Sequence, residues 1–238
     1  MRIARCLHRW RVSPRQAIRI QRDLAARVRV EPMALDRSGL PRTASRRDPL
    51  IAGGDVTTAP DERELLAGWV LWSPFENRIV EAVHVVRPLT FPYVPGLLSF
   101  RETPPLLAAA RKLRREPDAF LVDGHGRSHP RRFGLACHIG LLLNRPTVGC
   151  AKSRLVGDFE TPGASRGACT MLRHAGEVIG VVLRTREGVS PVFVSVGHCC
   201  DLTSATRIVL ACCRGLRLPE PTRLAHQYVT VEAVRRWR

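Results

Sequence analysis

Several features that mark large classes of proteins are missing from this sequence. None of its 8 cysteines forms a C-x-x-C pair, which excludes a zinc ribbon and the common redox motif. No apolar run is long enough to span a bilayer, and the N-terminus lacks the apolar core of a secretory signal. We therefore expect a cytoplasmic protein with reduced thiols and no membrane partner. The alternative is that the arginine-rich, acid-poor first residues act as a transit peptide.

Acidic residues are scarce relative to basic ones. The chain has 21 Asp and Glu against 38 Lys and Arg, which gives a formal net charge of +17. Such an excess predicts a polyanionic partner, with nucleic acid first and an anionic membrane surface second. An arginine-rich proteome would produce part of the same excess. The charge therefore indicates binding and carries no information about catalysis.

The sequence also shows no internal repeat and no second folded domain. Its 238 residues, 45% of them hydrophobic, are enough for one α/β domain with a sizeable core. We divide the chain into a basic N-terminal arm, residues 1–47, and a folded domain, residues 48–238. Ser13-Pro14 predicts a helix start in the arm, and arginines interleave the apolar positions that follow. The basic face of this helix either contacts a partner or is only solvated.

The order of the predicted elements indicates the fold. The strands are expected at residues 50–56, 67–72, 79–86, 119–122, 147–150, 178–183 and 192–196. The helices after the arm are expected at residues 102–115, 133–143 and 202–213, and from residue 224 onward. Three antiparallel strands, a helix, a parallel strand, a helix and another strand form an RNase H-like pattern. We therefore predict an α/β fold with a mixed central sheet flanked by helices.

Three carboxylates are expected at one edge of this sheet. In the RNase H-like topology the first and fourth strands are neighbours, so Asp55 and Asp123 should lie side by side. Glu102, at the predicted helix start after the third strand, is the natural third carboxylate. Close carboxylates repel each other unless a cation lies between them, and oxygen ligands suit Mg²⁺ or Mn²⁺ better than zinc. The pattern predicts metal-assisted attack on a phosphodiester, with Mn²⁺ able to replace Mg²⁺.

The loop after Asp123 combines glycines, histidines and arginines. Arginine forks suit phosphate, and glycines let the backbone approach a ligand closely. His125 and His129 have the spacing of a helical zinc pair, but two glycines and Pro130 disfavour a helix there. The composition therefore favours chemistry on a phosphodiester. A purely structural loop with a solvated aspartate is the alternative.

Six collinear segments carry a specific resemblance. They are residues 17–24, 51–56, 92–102, 122–131, 149–152 and 218–223. The most specific are Pro92-Tyr-Val-Pro-Gly-Leu-Leu-Ser-Phe-Arg-Glu102 and Val122-Asp-Gly-His-Gly-Arg-Ser-His-Pro-Arg131. With these motifs the chain resembles the endonuclease V family, which nicks nucleic acid near deaminated adenine. The resemblance extends from about Pro14 to His226, nearly the whole chain.

This resemblance implies an RNase H-like fold and an Mg²⁺-dependent DNA repair endonuclease. The implied reaction cleaves the second phosphodiester bond 3′ to a deoxyinosine and leaves 3′-hydroxyl and 5′-phosphate ends. One alternative is a nuclease of the same fold that acts on inosine-containing RNA or on flaps and mismatches. Another is a non-catalytic nucleic-acid binder. Nothing in the sequence requires more than a monomer.

The resemblance also implies roles for individual residues. The catalytic set is Asp55, Glu102, Asp123, His129, Lys152 and His226. Asp55, Asp123 and Glu102 match the metal ligands of the family. His129 and Lys152 match residues near the scissile phosphate, and His226 falls at a position occupied by Asp or His.

Two further groups match the part of the family that recognises the base. Pro92, Tyr93, Val94 and Pro95 match a wedge that enters the duplex, with Tyr93 holding the gap open by stacking. Gly96, Leu98 and Gly126 match the backbone lining of the hypoxanthine pocket. Residues 197–201 depart from the family, because a Cys199-Cys200 doublet replaces more polar residues. The resemblance therefore supports no phosphate contact from that loop.

Overall fold

The structure, a computed structural model, describes residues 7–43 and 48–237. Cys6, the start of the predicted arm and residues 44–47 of its connection lie outside the described residues. The eight strands are Ile51–Thr58 (β1), Glu64–Ser73 (β2), Arg78–Pro88 (β3), Ala119–Val122 (β4), Thr147–Ala151 (β5), Cys169–His174 (β6), Glu177–Leu183 (β7) and Val192–His198 (β8). The five helices are Pro14–Ala25 (α1), Leu98–Ala110 (α2), Leu135–Leu143 (α3), Leu202–Ala211 (α4) and Glu220–Trp237 (α5).

The strands form one mixed sheet in the order β3-β2-β1-β4-β5-β8-β7-β6. β1 and β4 are parallel neighbours, with Gly54 opposite Val122. β5 runs parallel to β4 on its other side, with Val122 opposite Gly149. Because the carboxyl ends of these three strands meet at one edge, the residues that follow them are brought together. The predicted α/β fold with an RNase H-like sheet is confirmed.

Successive residues of the central strands point to opposite faces of the sheet and enter two cores. On one face Ala52 and Phe120 pack against helices α2 and α3. On the other face Ile51 and Leu121 share a core with α4. The buried runs of β1 and β4 are apolar on both sides because both sides are covered.

Helix α1 is capped as its sequence predicts. The Ser13 hydroxyl accepts from the Gln16 amide, the Gln16 side chain accepts from the Ser13 amide at 2.8 Å, and Pro14 occupies the first turn. Leu24 and Val28 then enter the core that contains Ile51. Thus α1 packs directly against the sheet-containing body.

The preceding segment also packs on the body. Trp10 and Val12 contact the cluster formed by Phe91, Leu97 and Phe100 with Ala17. The His8 ring lies 2.7 Å, nitrogen to nitrogen, from the buried His138 of α3. Among the described residues no helix is both long and apolar enough to cross a membrane.

Among elements whose ends or presence differ from the sequence prediction, helix α2, strand β6 and helix α5 differ most clearly. Helix α2 begins at Leu98 and not at residue 102, so Glu102 lies inside it and not at its start. The prolines at 104 and 105 favour a first turn near residue 102, but here they lie inside the helix. Strand β6 was not predicted, because only Leu172 of its residues is buried and the apolar pattern is weak. Helix α5 begins at Glu220, one turn before the predicted start.

Candidate active site

Asp55 and Asp123 lie at the shared edge of β1 and β4, where each contacts a nitrogen of the protein. The Lys152 amino group, just beyond β5, lies 2.5 Å from a carboxylate oxygen of Asp123. The His226 Nδ1 lies 2.8 Å from a carboxylate oxygen of Asp55. Burial raises the pKa of Asp55; the His226 hydrogen bond opposes that rise, and the charge of Asp123 adds to it.

Glu102 completes the acidic group from helix α2. Burial raises its pKa to about 8, and the charges of Asp55 and Asp123 contribute in the same direction. The three carboxyl groups are therefore close enough to repel one another when ionised. The structure thus brings Asp55, Asp123 and Glu102, which the sequence analysis grouped, within the range of electrostatic interaction.

The donor chemistry of this cluster fits a hard divalent cation. All three donors are carboxylate oxygens, and a cation would relieve the repulsion that, after burial, contributes to the raised pKa of Glu102. Within the ranges 7–43 and 48–237, however, no three His, Cys, Asp or Glu side chains lie in an arrangement that could hold a metal ion as it stands. Lys152 and His226 instead contact two of the carboxylates.

His226 reaches Asp55 because the start of helix α5 lies directly against β1. A side-chain carbon at Gly53 would lie only 1.9 Å from the carbonyl oxygen of Pro221, so this approach requires glycine. Gly68 of β2 is similarly covered by Val229. The close packing fixes α5 across the sheet and brings His226, whose side chain is 60% exposed, to the carboxylates.

A cavity of about 130 Å³ lies beside the acidic group. Its lining is Gln21, Tyr93, Val94, Pro95, Gly96, Leu98, Ser99, Gly124, His125, His129, Gly134, Leu135 and Leu155. Tyr93 is 70% exposed at the mouth, which is unusual for a large aromatic side chain. Of the residues expected from sequence for the wedge and pocket, Tyr93, Val94, Pro95, Gly96 and Leu98 line this cavity.

Gly126 and Pro92 are not among the lining residues. Gly126 lies instead against β8, where a side-chain carbon would lie 2.0 Å from the carbonyl oxygen of Val196. Its amide donates to the Ser195 hydroxyl at 2.8 Å. Gly126 is required where the loop after β4 packs on β8, and Gly124 and Gly134 line the cavity in its place.

The loop that carries Tyr93 is held by three donors on one carbonyl oxygen. The Gly96 oxygen accepts from Gln21 Nε2 at 3.0 Å, His129 Nε2 at 2.9 Å and Arg131 Nη2 at 2.7 Å. Gly96 has φ +77°, a conformation that favours glycine. Gln21 also donates to the Phe133 carbonyl and accepts from Arg131 Nε. Helix α1 thus fixes the wall of the cavity.

His129 lies in this wall with both ring nitrogens engaged. Its Nε2 donates to the Gly96 oxygen, and its Nδ1 accepts from the Arg131 amide at 3.1 Å. Burial lowers its pKa to about 4, so the ring is neutral at neutral pH. The structure therefore gives His129 a positioning contact.

His125 is a cavity residue that the sequence analysis did not assign. Its Nδ1 lies 2.8 Å from the Ser128 hydroxyl, and its ring also hydrogen-bonds the backbone of Ser153, the residue after Lys152. Burial lowers its pKa to about 4. A neutral His125 therefore links the loop after β4 to the loop after β5.

Gln21 was also missed as a cavity residue. The available signal was its place on the buried face of α1, in line with Ala17, Leu24 and Val28, where a polar residue is unexpected. Leu155 and Leu135, which also line the cavity, carried no such signal because they are ordinary apolar residues.

The Cys199-Cys200 doublet lies at the opposite edge of the sheet. His198 pairs with Thr147 at the start of β5, while Phe193 pairs with Ala151 at its end, next to Lys152. Cys199 contacts Arg29, the Cys200 thiol donates to the Thr147 carbonyl, and Asp201 caps helix α4. The doublet is structural, and the loop is not positioned for phosphate contacts beside Asp123.

These features define a class. An acidic cluster at the edge of an RNase H-like sheet, with a lysine, an exposed tyrosine and a cavity beside it, is a site for hydrolysis of nucleic-acid phosphodiesters. Comparison with known proteins places the chain within this class. The family model described as Endonuclease V matches residues 37–227.

Relatives and solved structures agree with the family match. The endonuclease V of Gloeobacter violaceus is 47% identical over 225 residues, covering 93% of this chain and 87% of that protein. The Bacillus subtilis endonuclease V structure superposes with a TM-score of 0.89 at 32% identity, covering 99% of this chain and 98% of that one. Ciona intestinalis endonuclease V, solved with a 24-mer DNA containing an inosine followed by a ribo-adenosine, has a TM-score of 0.75 at 26% identity, covering 93% and 98%.

The chain belongs to the endonuclease V family. It is an endodeoxyribonuclease, a hydrolase that binds DNA. Family membership decides against the alternative of a non-catalytic nucleic-acid binder.

Proposed function

We propose that this enzyme is a DNA repair endonuclease that nicks the second phosphodiester bond 3′ to a deoxyinosine, with Mg²⁺ as its cofactor and Mn²⁺ as a substitute. The products carry 3′-hydroxyl and 5′-phosphate ends. The observation that carries the proposal is the cluster of Asp55, Asp123 and Glu102 beside a cavity with an exposed tyrosine at its mouth. The seven cysteines in the described part of the enzyme are free thiols, which is compatible with a location in the reducing cytoplasm.

The acidic cluster is the proposed metal site. Asp55, Asp123 and Glu102 would hold Mg²⁺, which would supply polarisation of the scissile phosphate and a water molecule of lowered pKa. Ionised Glu102 is needed for this role, and a nearby cation favours the ionised form. His226 orients the Asp55 carboxylate through its 2.8 Å contact.

Lys152 is the proposed phosphate contact. Its amino group lies at the sheet edge and forms an ion pair with the Asp123 carboxylate, and its side chain is 42% exposed. A flexible ammonium group in this position is able to exchange its carboxylate partner for a phosphate oxygen. It would then stabilise the negative charge that develops on the phosphate during in-line attack.

The cavity is the proposed site for the extruded hypoxanthine base. Tyr93 stacks in the gap that the base leaves, which offsets part of the few kcal/mol needed for extrusion. Gln21, His129 and Arg131 keep the Gly96 loop in place, so that backbone groups of Gly96 and Leu98 face the base. Neutral His129 acts by positioning this loop near the strand to be cut.

Cleavage of an end-labelled duplex with one deoxyinosine, and of its undamaged control, tests the proposal. With Mg²⁺ we expect one nick at the second bond 3′ to the lesion, and with EDTA none. Asp55→Asn and Asp123→Asn should lower the rate at least about 10³-fold while DNA binding persists. Asp61→Asn, which alters an exposed carboxylate in the turn after β1, is the matched control and should cut at the wild-type rate. Equal rates for all four proteins would overturn the proposed site.

A ribonucleotide-containing substrate is the second candidate. The observation that favours it is the Ciona intestinalis relative, whose bound DNA has a ribo-adenosine after the inosine. The same duplex with a ribo-adenosine 3′ to the inosine, and a single-stranded inosine RNA, should be compared at equal enzyme concentration. A higher kcat/KM on either would reassign the preferred substrate without changing the catalytic residues.

A further inference from the structure

Helix α1 carries a row of arginines on its exposed side. Arg15, Arg19 and Arg22 are spaced by four and three residues, so they lie on one face of the helix, and all three are exposed. None of the ion pairs found among the described residues involves them. The helix contains one acidic residue, Asp23. Three positive charges thus face the solvent without a carboxylate partner in the described part of the chain.

This row adjoins the cavity of the active site. Gln21, on the inner face of the same helix, forms part of the cavity wall and binds the Gly96 carbonyl. Arg131, which also binds that carbonyl, has a pKa lowered mainly by burial, and Arg22 lies close enough for its charge to add to that effect. The row therefore begins at the cavity rim.

The inner face of α1 is buried against the rest of the protein. Ala17, Gln21 and Leu24 are buried against the body, so the helix has no apolar face available for insertion into a lipid surface. Only its charged outer face is open to a partner. From Arg15 to Arg22 the helix rises about 10 Å, which matches roughly three nucleotides of one DNA strand at about 3.4 Å each.

We propose that Arg15, Arg19 and Arg22 bind the phosphodiester backbone on the 5′ side of the nucleotide whose base enters the cavity. This inference rests on the proposed function. In that reaction the strand runs from the cavity to Asp55 and Asp123 in the 3′ direction. In the described structure helix α1 contacts the cavity wall and none of the three carboxylates. It is therefore placed to contact the part of the strand on the 5′ side of the cavity.

The salt dependence of binding tests this surface. Each lost phosphate contact should reduce the slope of log K against log salt by about 0.9. In EDTA, which prevents cleavage, Arg15→Gln/Arg19→Gln/Arg22→Gln should reduce the slope by about 2 to 3. The matched control is Arg111→Gln/Arg114→Gln/Arg115→Gln, which removes the same charge from exposed residues that lead to the start of β4, at the opposite sheet edge. Equal slopes for the two triple variants would overturn the proposal.

Shortened substrates test the side of the lesion. When the duplex is cut back on the 5′ side of the deoxyinosine, the α1 variant and the wild type should bind with equal affinity. When it is cut back on the 3′ side, the weaker binding of the α1 variant should persist. The opposite pattern would overturn the placement, because the arginines would then contact the 3′ flank.

Three further measurements separate loss of the proposed DNA contact from other causes of weaker binding. Failure of the wild type to nick the deoxyinosine duplex would refute the proposed function, whatever the salt slopes. Glutamine keeps a high helix propensity, and equal melting temperatures would show that both triple variants are folded. If the α1 variant loses binding only to phosphatidylserine vesicles and keeps the wild-type DNA slope, the surface is a membrane contact and the proposal is wrong.

Discussion

At the scale of single residues, Lys152 differs sharply from Lys112, the chain's only other lysine. Lys152 lies on Asp123 at the acidic edge, whereas Lys112 donates to the His84 carbonyl at 3.0 Å, outside the site. We expect Lys152→Gln to lower kcat on the deoxyinosine duplex by about 10²- to 10³-fold, because a charged contact to the phosphate is lost. Lys112→Gln should cut at the wild-type rate.

The same variant distinguishes a phosphate contact from a metal contact. With Lys152 replaced, the Asp123 carboxylate loses its positive neighbour, so the Mg²⁺ concentration for half-maximal rate should fall and not rise. A Mg²⁺ titration of Lys152→Gln measures this. A wild-type kcat for the variant would show that Lys152 only balances the charge of Asp123.

Gln21 is the second residue with a specific expectation. Gln21→Leu keeps the volume but removes the contacts to the Gly96 and Phe133 carbonyls and to Arg131. We expect KM to rise about 10-fold with a much smaller change in kcat, since the cavity wall moves but the carboxylates do not. The unfolding free energy should fall by about 1 to 3 kcal/mol, because buried carbonyls and a guanidinium lose a partner.

Gln16→Leu is the control on the same helix. It removes the capping contact to the Ser13 amide and should lower stability slightly without changing KM. An unchanged KM for Gln21→Leu would mean that His129 and Arg131 hold the loop without help.

The position of the carboxylates could be predicted from the sequence. The residues of the cavity wall could be predicted only in part. Asp55 interrupts one short apolar strand and Asp123 follows another. Both positions can be recognised in the sequence, and the backbone register of the two strands is enough to bring them together. The contact between Gln21 and Gly96 joins residues 75 positions apart through side chains. No periodicity encodes such a contact, so it became visible only in the structure.

At the scale of elements, the loop after β4 is fixed by its packing on β8. Gly126→Ala would place a carbon 2.0 Å from the Val196 carbonyl oxygen, and neither backbone has room to shift without breaking the strand pairing. We expect a loss of about 3 kcal/mol of unfolding free energy, measured by denaturant unfolding, together with reduced cleavage.

A loop glycine without this constraint provides the comparison. At Gly163 the nearest atom to an added carbon, the Cβ of Ala168, is 3.6 Å away. Gly163→Ala should therefore change stability by no more than about 0.5 kcal/mol. Equal stability of the Gly126→Ala and Gly163→Ala variants would contradict the packing described for β8.

Elements with strong local signals were predicted well. The predicted bounds of β4 match the structure, because its four apolar residues end at Asp123 and Gly124. The predicted start of helix α2 was too late. Its prolines indicate a helix start near residue 102, and only the structure shows that the helix begins earlier. Strand β6 owes its place to a hairpin with β7, a pairing that its own mostly exposed residues hardly indicate.

At the scale of the whole molecule, a set of buried histidines predicts acid sensitivity. Burial lowers the pKa of His125, His129 and His198 to about 4, and it also lowers that of His8 and His138. As the pH falls, the histidines of the unfolded chain take up protons near pH 6.5, whereas those of the folded protein do so only at lower pH. The stability they contribute is therefore complete above pH 6.5 and is lost as the pH falls toward 4.

Glu102 has the opposite effect. Its folded pKa of about 8 lies above the unfolded value of 4.5, so its contribution to the unfolding free energy increases as the pH falls from 8 to 4.5. Asp55, whose pKa is also raised by burial, acts in the same direction, so two carboxyl groups oppose five histidines. We expect a net loss of stability between pH 6.5 and 4.5 in EDTA, on the order of 1 kcal/mol per pH unit for each fully buried histidine.

Guanidinium unfolding at pH 7, 6 and 5 measures this loss. His138→Gln should flatten the pH dependence by about one proton, because it removes a buried ring. His84→Gln, at a half-buried position on β3, is the control. A stability that stays constant from pH 7 to 5 would contradict the burial of these rings.

The buried thiols of the core have a consequence for how the protein survives unfolding. Cys137, Cys150, Cys200, Cys212 and Cys213 are free and buried, and burial raises the pKa of each, so the folded protein keeps them protonated and slow to oxidise. Unfolding releases them together, at ordinary pKa values and in one flexible chain. In air a fraction of the unfolded chains would form random disulfides before the sheet reassembles, so that each excursion to the unfolded state risks becoming permanent. The lifetime of the enzyme outside a reducing environment is therefore limited by the fraction of time that the chain spends unfolded.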